Sequence, residues 1–213
     1  MSRTSARPLV VTDCDEVLLH MVRHFRSWLD LKHEVDFSLA GNSFVQSMKR
    51  RGGQGDMTEE EVFDLLGSFF DTEMPTHTAI EGAVEAITEL QREADVVVLT
   101  NLGDSRREDR RRQLQAFGIE AQVYTNQGPK GSALRRIVEE HGASRAVFID
   151  DLAQHHRSAA ETFPQVHRLH FCGEPAIASH VTCAFAAGDA HARIDNWADA
   201  LPWLTQFLHG EER

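Results

Sequence analysis

The sequence predicts an α/β protein, in which a parallel sheet is flanked by helices and a small all-helical domain is inserted after the first strand. Three observations lead to this class. Short apolar segments recur along the chain, helical patterns lie between them, and one long stretch near the N-terminus lacks any convincing buried strand. Strands that alternate with helices indicate βαβ units, because parallel strands need crossover connections.

Four apolar segments are predicted to be strands of this sheet: residues 8–13, 95–101, 121–126 and 145–151. Each is nearly continuous and rich in β-branched residues, which is typical of strands buried on both faces of a sheet. Residues 166–171 predict a weaker fifth strand.

Helical patterns occupy the intervals between these strands, at residues 81–93, 104–117, 130–141 and 152–162. The C-terminal residues 191–208 predict a last strand and an amphipathic helix. Because the carboxyl ends of parallel strands meet the loops at one edge of the sheet, we expect the reactive groups at that edge.

Residues 18–77 form the predicted insert, between core segments 1–17 and 78–213. One helix is expected over residues 18–35. A second helix is predicted to begin at Thr58, whose spacing to Glu61 fits a capping box. The second helix is expected to bury the apolar residues of one face, namely Val62, Phe63, Leu65, Leu66 and Phe69.

The composition and net charge of the chain make a membrane or a nucleic acid an unexpected binding partner. Of the 213 residues 41% are apolar and 26% are charged, and no apolar run reaches the ~18 residues that span a bilayer. The net charge of −11 disfavours sequence-independent binding to nucleic acid. We therefore expect neither a membrane nor a nucleic-acid partner, and both monomer and homodimer remain open.

A cytoplasmic location is expected, because Asp13 and Asp15 interrupt the first apolar segment too early for a secretory signal. The three cysteines, Cys14, Cys172 and Cys183, are odd in number and lack the spacing of a zinc site. We expect them to be reduced, inert thiols.

Carboxylates follow two of the predicted strands, as Asp13 and Asp15 after the first and as Asp150 and Asp151 after residues 145–149. If these strands are neighbours, each like-charge pair at ~4 Å costs about 4 kcal/mol at an effective dielectric constant near 20. Such a cluster requires a cation. Oxygen ligands without convergent histidine or thiolate favour Mg²⁺.

Lys130 precedes the helix of residues 130–141, and Thr100 and Asn101 end the second strand. An ammonium group and a hydroxyl donor suit phosphate oxygens, so the set predicts phosphoryl transfer. We expect Asp13 to attack phosphorus and Asp15 to donate and accept the proton. An Asp-x-Asp pattern or an Asp-Asp pair alone is weak, since the latter is often only a helix N-cap.

The segments that carry these residues resemble the four motifs of the haloacid dehalogenase-like superfamily of Mg²⁺-dependent phosphotransferases. "LVVTDCDEVLL" is similar to the first motif and "VVVLTN", with Thr100, to the second. "GPKGSALRRI", with Lys130, is similar to the third motif, and "AVFIDD" to the fourth. The resemblance covers almost the whole chain.

This resemblance implies a Rossmann-like sheet in which the first-motif strand lies between those of the second and fourth motifs. It implies that residues 18–77 are a C1 cap, which closes over the site and selects the substrate. The metal would be held by Asp13, by the backbone carbonyl of Asp15 and by Asp151, with Asp150 acting directly or through water. Glu16 stands where many relatives have glycine, and the presence of Asp15 disfavours dehalogenation.

We therefore expect a phosphoric monoester hydrolase that acts on a small phosphorylated metabolite through an aspartyl-phosphate at Asp13. A phosphomutase is a variant of this hypothesis. A non-catalytic phospholigand-binding protein that keeps the fold is the alternative from another class.

The arginine-rich residues 105–115 are interpreted as a solvated helix face with an i,i+4 pair between Glu108 and Arg112. His155 and His156 lie close enough to the acidic pair to influence the site, but no histidine is assigned to catalysis. The basic residues Lys49, Arg50 and Arg51 are weaker candidates for substrate contact from the cap.

Overall fold

The computed structural model describes residues 7–38, 44–53 and 55–210. The chain divides into two compact units. The core unit comprises Met1–Leu19 and Ala79–Arg213, and the inserted unit comprises His20–Thr78.

The described residues form ten strands: β1 Leu9–Thr12, β2 Leu19–His20, β3 Val35–Phe37, β4 Met48–Arg50, β5 Thr78–Ala79, β6 Asp95–Thr100, β7 Gln122–Thr125, β8 Ala146–Asp150, β9 His167–His170 and β10 Ala192–Arg193. They also form eight α-helices: α1 Val22–Trp28, α2 Glu59–Glu73, α3 Ala83–Glu93, α4 Arg107–Ala116, α5 Gly131–His141, α6 Ala153–Thr162, α7 Pro175–Ala178 and α8 Trp197–His209.

A six-stranded sheet forms the centre of the core unit, with the strand order β10-β9-β8-β1-β6-β7. Every neighbouring pair is parallel. The predicted α/β class is confirmed, as is the expectation that β1 lies between β6 and β8. In the register, Thr12 is the partner of both Val98 and Ile149, so the three strands end side by side.

Both faces of this sheet are covered, which explains the nearly continuous apolar strand sequences. Side chains alternate along β1, so that Val10 packs in one buried cluster with residues of α3 and α8. Leu9 and Val11 pack in a second cluster on the opposite face, with residues of α5 and α6. The predicted C-terminal strand and helix are present as β10 and α8.

The inserted unit is not all-helical, and that expectation is wrong. Strands β3 and β4 pair in an antiparallel ladder. In β3, Val35 and Phe37 are buried while Asp36 is exposed, which is the alternation of a strand with one wet face. The helix expected over residues 18–35 is also shorter: α1 continues as a π-helix, Leu29–His33, which ends at Glu34 with a φ of 53°.

Helix α2 begins as predicted. The Thr58 side chain accepts a hydrogen bond from the Glu61 N–H at 3.3 Å, and the Glu61 carboxylate accepts one from the Thr58 N–H at 2.9 Å. The predicted buried face is correct for Val62 and Phe69 but wrong for Phe63, which is 53% exposed. Leu65 and Leu66 are half-buried, because the helix buries a narrow stripe through Val62, Phe69 and Phe70.

Across the described residues, we find no helix with the length and apolar character needed to cross a bilayer.

Candidate active site

Three of the four predicted carboxylates, those of Asp13, Asp150 and Asp151, meet at one edge of the sheet, where β1 and β8 end, and Asp15 is not in this cluster. Asp13 directly follows β1, and its N–H donates to the carbonyl of Ile149 at 2.8 Å. This bond extends the β1–β8 ladder by one residue. Because Asp150 is the last residue of β8, the ladder holds Asp13 beside it.

Lys130 bridges the two strand ends. Its Nζ donates to Asp13 Oδ2 at 2.9 Å and to Asp150 Oδ2 at 2.7 Å, and the side chain has no exposed surface. The next residue, Gly131, allows this approach, since a Cβ there would lie 2.2 Å from the carbonyl oxygen of Ser158 in α6. Close packing of α5 on α6 therefore places the lysine between the two acids.

Three carboxylates cluster around this lysine. Ligand atoms of Asp13, Asp150 and Asp151 all lie within 4.8 Å of one another, and all three residues are buried. With every group ionised, three carboxylates and one ammonium leave a net charge of −2. The site therefore lacks positive charge, and its donors are all oxygens, which fits a hard divalent cation.

The pKa values reflect this imbalance. Burial raises the pKa of Asp13 to about 7; Lys130 opposes the rise, and repulsion from Asp150 and Asp15 adds to it. Burial, together with repulsion from Asp150 and Asp13, raises the pKa of Asp151 well above its usual range. Although burial alone would raise it, attraction to Lys130 lowers the pKa of Asp150.

The two aspartates of the acidic pair are held differently. Asp150 accepts from Lys130 with Oδ2 and from the N–H of Leu152 with Oδ1 at 2.9 Å, so the protein satisfies both oxygens. Among the residues that the structure describes, no donor reaches the Asp151 carboxylate. Asp151 is therefore the better placed of the two to bind a cation directly.

Two buried histidines hold the backbone of the acidic pair, and of these the sequence analysis places only His156 near the site. His156 Nε2 donates to the carbonyl of Asp150 at 2.9 Å, and His170 Nε2 donates to the carbonyl of Asp151 at 2.8 Å. His170 Nδ1 accepts from the Ala184 N–H at 3.0 Å, which assigns the proton to Nε2. Burial lowers the pKa of His156 to about 4. His156 follows the acidic pair closely, but nothing in the sequence distinguishes His170.

The chain reverses direction directly after Asp15. The N–H of Glu16 donates to the carbonyl of Leu19 at 2.8 Å, and the N–H groups of Leu18 and Leu19 donate to the carbonyl of Cys14 at 2.8 and 2.9 Å. Glu16 adopts a φ of 60°, which costs a non-glycine residue roughly 1 kcal/mol or more. This left-handed conformation is a physical reason for glycine at the equivalent position of the resembling family.

Asp15 pairs with Arg110, one of the arginines in the segment 105–115 that the sequence predicts to face solvent. Arg110 Nη2 donates to Asp15 Oδ2 at 2.8 Å, and Nη1 donates to Cys14 Sγ at 3.0 Å. The solvated-face interpretation of residues 105–115 is wrong for Arg110, which is fully buried. It holds for Arg112, which is exposed, and for Arg111, whose side chain is 42% exposed.

The ion pairs on the exposed side of α4 also differ from the prediction. They have i,i+3 spacing and join Arg111 to Glu108 and Arg112 to Asp109. The expected pair between Glu108 and Arg112 is replaced by these two.

Thr100 and Asn101 lie at the end of β6. Thr100 is buried, and its carbonyl accepts from the Asn126 N–H at 2.9 Å. The Asn101 side chain donates to the carbonyl of Gly128 and accepts from the Asn126 side chain, both at 2.9 Å. Asn101 therefore stabilises the loop that leads to Lys130, and its amide approaches His155 Nε2 at 3.5 Å.

The basic residues of the inserted unit are largely neutralised by acids of the same unit. Arg50 pairs with Glu61. Arg51 pairs with Asp30 and, at 3.0 Å, with Asp36. Lys49 is exposed.

Fold and site together define a class: an α/β enzyme whose acids and lysine meet at the carboxyl edge of a parallel sheet. Residues 62–162 match the family model described as haloacid dehalogenase-like hydrolase. This match covers a little under half of the chain and agrees with the family that the four motifs resemble.

Solved structures share the fold at low sequence identity. A haloacid dehalogenase family hydrolase from Deinococcus radiodurans R1, with bound phosphate and sodium, has a TM-score of 0.65 and 19% identity, over 96% of this chain and 97% of that one. A predicted phosphoglycolate phosphatase from Haemophilus somnus has a TM-score of 0.66 and 15% identity, over 94% and 99%.

A haloacid dehalogenase-like family hydrolase from Streptococcus pneumoniae gives a TM-score of 0.64 at 13% identity, over 94% of this chain and 99% of that one. No curated protein matches the sequence.

Proposed function

We propose that this hydrolase is a Mg²⁺-dependent phosphatase that removes a phosphoryl group from a small metabolite through an aspartyl-phosphate at Asp13. One observation carries the proposal: Lys130 joins the carboxylates of Asp13 and Asp150, while the buried Asp151 carboxylate beside them has no donor among the described residues. The phosphate bound to the Deinococcus relative and the name of the Haemophilus relative support phosphate as the substrate group.

Asp13, Asp151 and the backbone carbonyl of Asp15 would hold the Mg²⁺. Asp150 would contribute charge and orient Lys130, because its oxygens already accept from Lys130 and Leu152. The bound ion would offset the charge of the phosphate and of the acids.

In the first step, an Asp13 oxygen forms a bond to phosphorus as the bond to the leaving oxygen breaks, and Asp15 donates a proton to that oxygen. In the second step, water attacks the phosphorus of the aspartyl-phosphate and Asp15 accepts its proton, which releases phosphate and restores Asp13. Lys130, Thr100 and Asn101 would bind the phosphoryl oxygens.

Residues 18–77 would act as the cap that selects the substrate. The cytoplasmic location, the small-molecule substrate and the choice between monomer and homodimer stay predictions.

Hydrolysis of an aryl phosphate tests the proposal directly. We expect purified protein to release phenol and phosphate with Mg²⁺ and to lose this activity in a chelator, with recovery when Mg²⁺ is returned. A panel of phosphorylated sugars, nucleotides and small acids, phosphoglycolate included, would then rank substrates. Tight binding by calorimetry without turnover of any panel member would contradict the proposal and favour the phospholigand-binding alternative. An isomeric phosphate ester as product would indicate a phosphomutase.

The buried acids also predict pH-dependent stabilisation by Mg²⁺. The pKa of Asp13 rises from its ordinary value of 3.8 to about 7 in the folded, metal-free chain. Between these two pH values the folded chain therefore keeps a proton on Asp13 that the unfolded chain has lost. The metal-free protein therefore loses stability as pH rises through that window. Mg²⁺ competes with the proton, so each pH unit below 7 is expected to weaken its binding about tenfold.

Thermal unfolding at pH 5 and pH 8, with and without Mg²⁺, measures this effect. We expect a larger increase in Tm at pH 8; at a concentration 100 times Kd the stabilisation is about 2.7 kcal/mol. Ca²⁺ and Na⁺ serve as comparison ions. An equal increase at both pH values would contradict metal binding at these acids.

A further inference from the structure

Arg110 occupies a fully buried position of α4, where an apolar residue would be usual. Its side chain has no exposed surface, whereas those of Arg111 and Arg112 in the same helix are 42% and 65% exposed. Burying a guanidinium costs several kcal/mol before its partners compensate, and an apolar residue of similar volume often stabilises a fold equally well. Packing alone therefore does not account for an arginine here.

Two partners of Arg110 lie in the first motif, and one of them, Asp15, is 95 residues away along the chain. Its guanidinium contacts both Cys14 Sγ and Asp15 Oδ2, so the two donors act as a fork on consecutive residues. Only Nη2 binds the carboxylate, while the bond from Nη1 to Cys14 fixes the plane of the guanidinium and so the direction from which Asp15 is held.

The two oxygens of Asp15 are in different situations. Oδ2 accepts from Arg110, whereas Oδ1 is buried and has no hydrogen-bond partner among the described residues. A buried carboxylate oxygen without a donor is costly in a folded protein. The side chain of Asp15 keeps 17% of its surface exposed, and this exposed surface belongs to atoms other than Oδ1.

We propose that Arg110 is a positioning residue, which holds Asp15 by Oδ2 and so fixes the carboxyl group that gives a proton to the leaving oxygen and takes one from the attacking water. This inference rests on the proposed phosphatase function, in which Asp15 transfers the proton. Arg110 does not contact the substrate in this role and acts only through Asp15.

Leaving-group dependence distinguishes this role from a structural one. An alkyl phosphate needs a proton on its departing oxygen, whereas an aryl phosphate with an acidic phenol does not. The ratio kcat/KM reports the step up to leaving-group departure, and kcat also includes hydrolysis of the aspartyl-phosphate.

The experiment compares R110M with R111M, the matched exposed control, on p-nitrophenyl phosphate and on an alkyl phosphate. For R110M we expect kcat/KM to fall by about 100-fold or more on the alkyl phosphate, the size of general acid catalysis, and by less than about fivefold on the aryl phosphate. The aryl phosphate should show a burst of phenol followed by slow turnover. R111M should match the wild type on both substrates.

Further variants keep the outcome decisive. Adding R110M to D15N should cause little further loss, because the two residues act as a unit. If R110M does not fold, R110K, which keeps the charge without the fork, should show the same selective loss at smaller size. Equal losses on both substrates in folded R110M, or wild-type rates on both, would overturn the inference. A wild-type protein that hydrolyses no phosphate would instead overturn the proposed function.

Discussion

Replacing Asp13 by asparagine is expected to lower kcat for phosphate ester hydrolysis by at least about 10⁴-fold, because an amide oxygen cannot form and release an acyl phosphate at this site. The fold should survive. Asparagine has nearly the same size, and burial already disfavours the charged form of Asp13, whose pKa rises to about 7. Removing that charge also relieves repulsion with Asp150 and Asp151.

Three measurements check this result. Steady-state kinetics give the loss of kcat, urea unfolding without metal should give a midpoint equal to or above that of the wild type, and acid quenching should trap no phosphorylated protein. Asp109→Asn is the matched control, since Asp109 lies on the exposed side of α4 and pairs with Arg112 there. Wild-type turnover in Asp13→Asn would exclude Asp13 as the nucleophile.

Replacing Lys130 by methionine is expected to reduce the free energy of unfolding by about 3–5 kcal/mol at pH 7, the usual cost of removing one partner from a buried ion pair. The ammonium group lies 2.9 Å from Asp13 and 2.7 Å from Asp150, with no exposed surface. Without it, the buried acidic groups face one another and lose the ammonium group that offsets their charge. Catalysis should be lost as well.

Urea unfolding at pH 7 and at acid pH measures the effect. Attraction to Lys130 lowers the pKa of Asp150 below its ordinary value of 3.8. The ion pair therefore stabilises the fold at pH values above 3.8, and this stabilisation is lost as the pH falls through the lowered pKa. The destabilisation by Lys130→Met should therefore shrink in acid. Lys32→Met is the control: Lys32 forms an exposed pair with Glu73 at 2.5 Å, and its loss should cost at most about 1 kcal/mol. A loss below 1 kcal/mol for Lys130→Met would contradict the buried-pair argument.

The sequence is sufficient to predict that the acids and the lysine lie at the same edge of the sheet. Asp13, Asp150 and Lys130 stand at the ends of strands and the start of a helix that local patterns define. Parallel topology then brings strand ends to one edge, whatever the details of packing. The capping box at Thr58 can also be predicted from the sequence, because its hydrogen bonds join residues only three positions apart.

Other features depend on contacts between distant segments. Five arginines lie in residues 105–115, and the polar sequence of α4 does not indicate which of them turns inward. The choice of Arg110 follows from its contact with Asp15, 95 residues earlier. His170 donates to the backbone carbonyl of Asp151 from the neighbouring strand β9. No motif or residue spacing in the sequence predicts this hydrogen bond.

Periodicity along the chain thus accounts for which residues can react, since strand length, helix start and side-chain type are local properties. The orientation of those residues was decided only in the folded molecule. A buried guanidinium on Asp15, imidazole donors on the acidic pair, a strained turn at Glu16 and a hairpin in the inserted unit all arise from packing and hydrogen bonding between segments far apart in sequence. Such pairings depend on three-dimensional proximity, which a linear pattern of residues does not encode on its own.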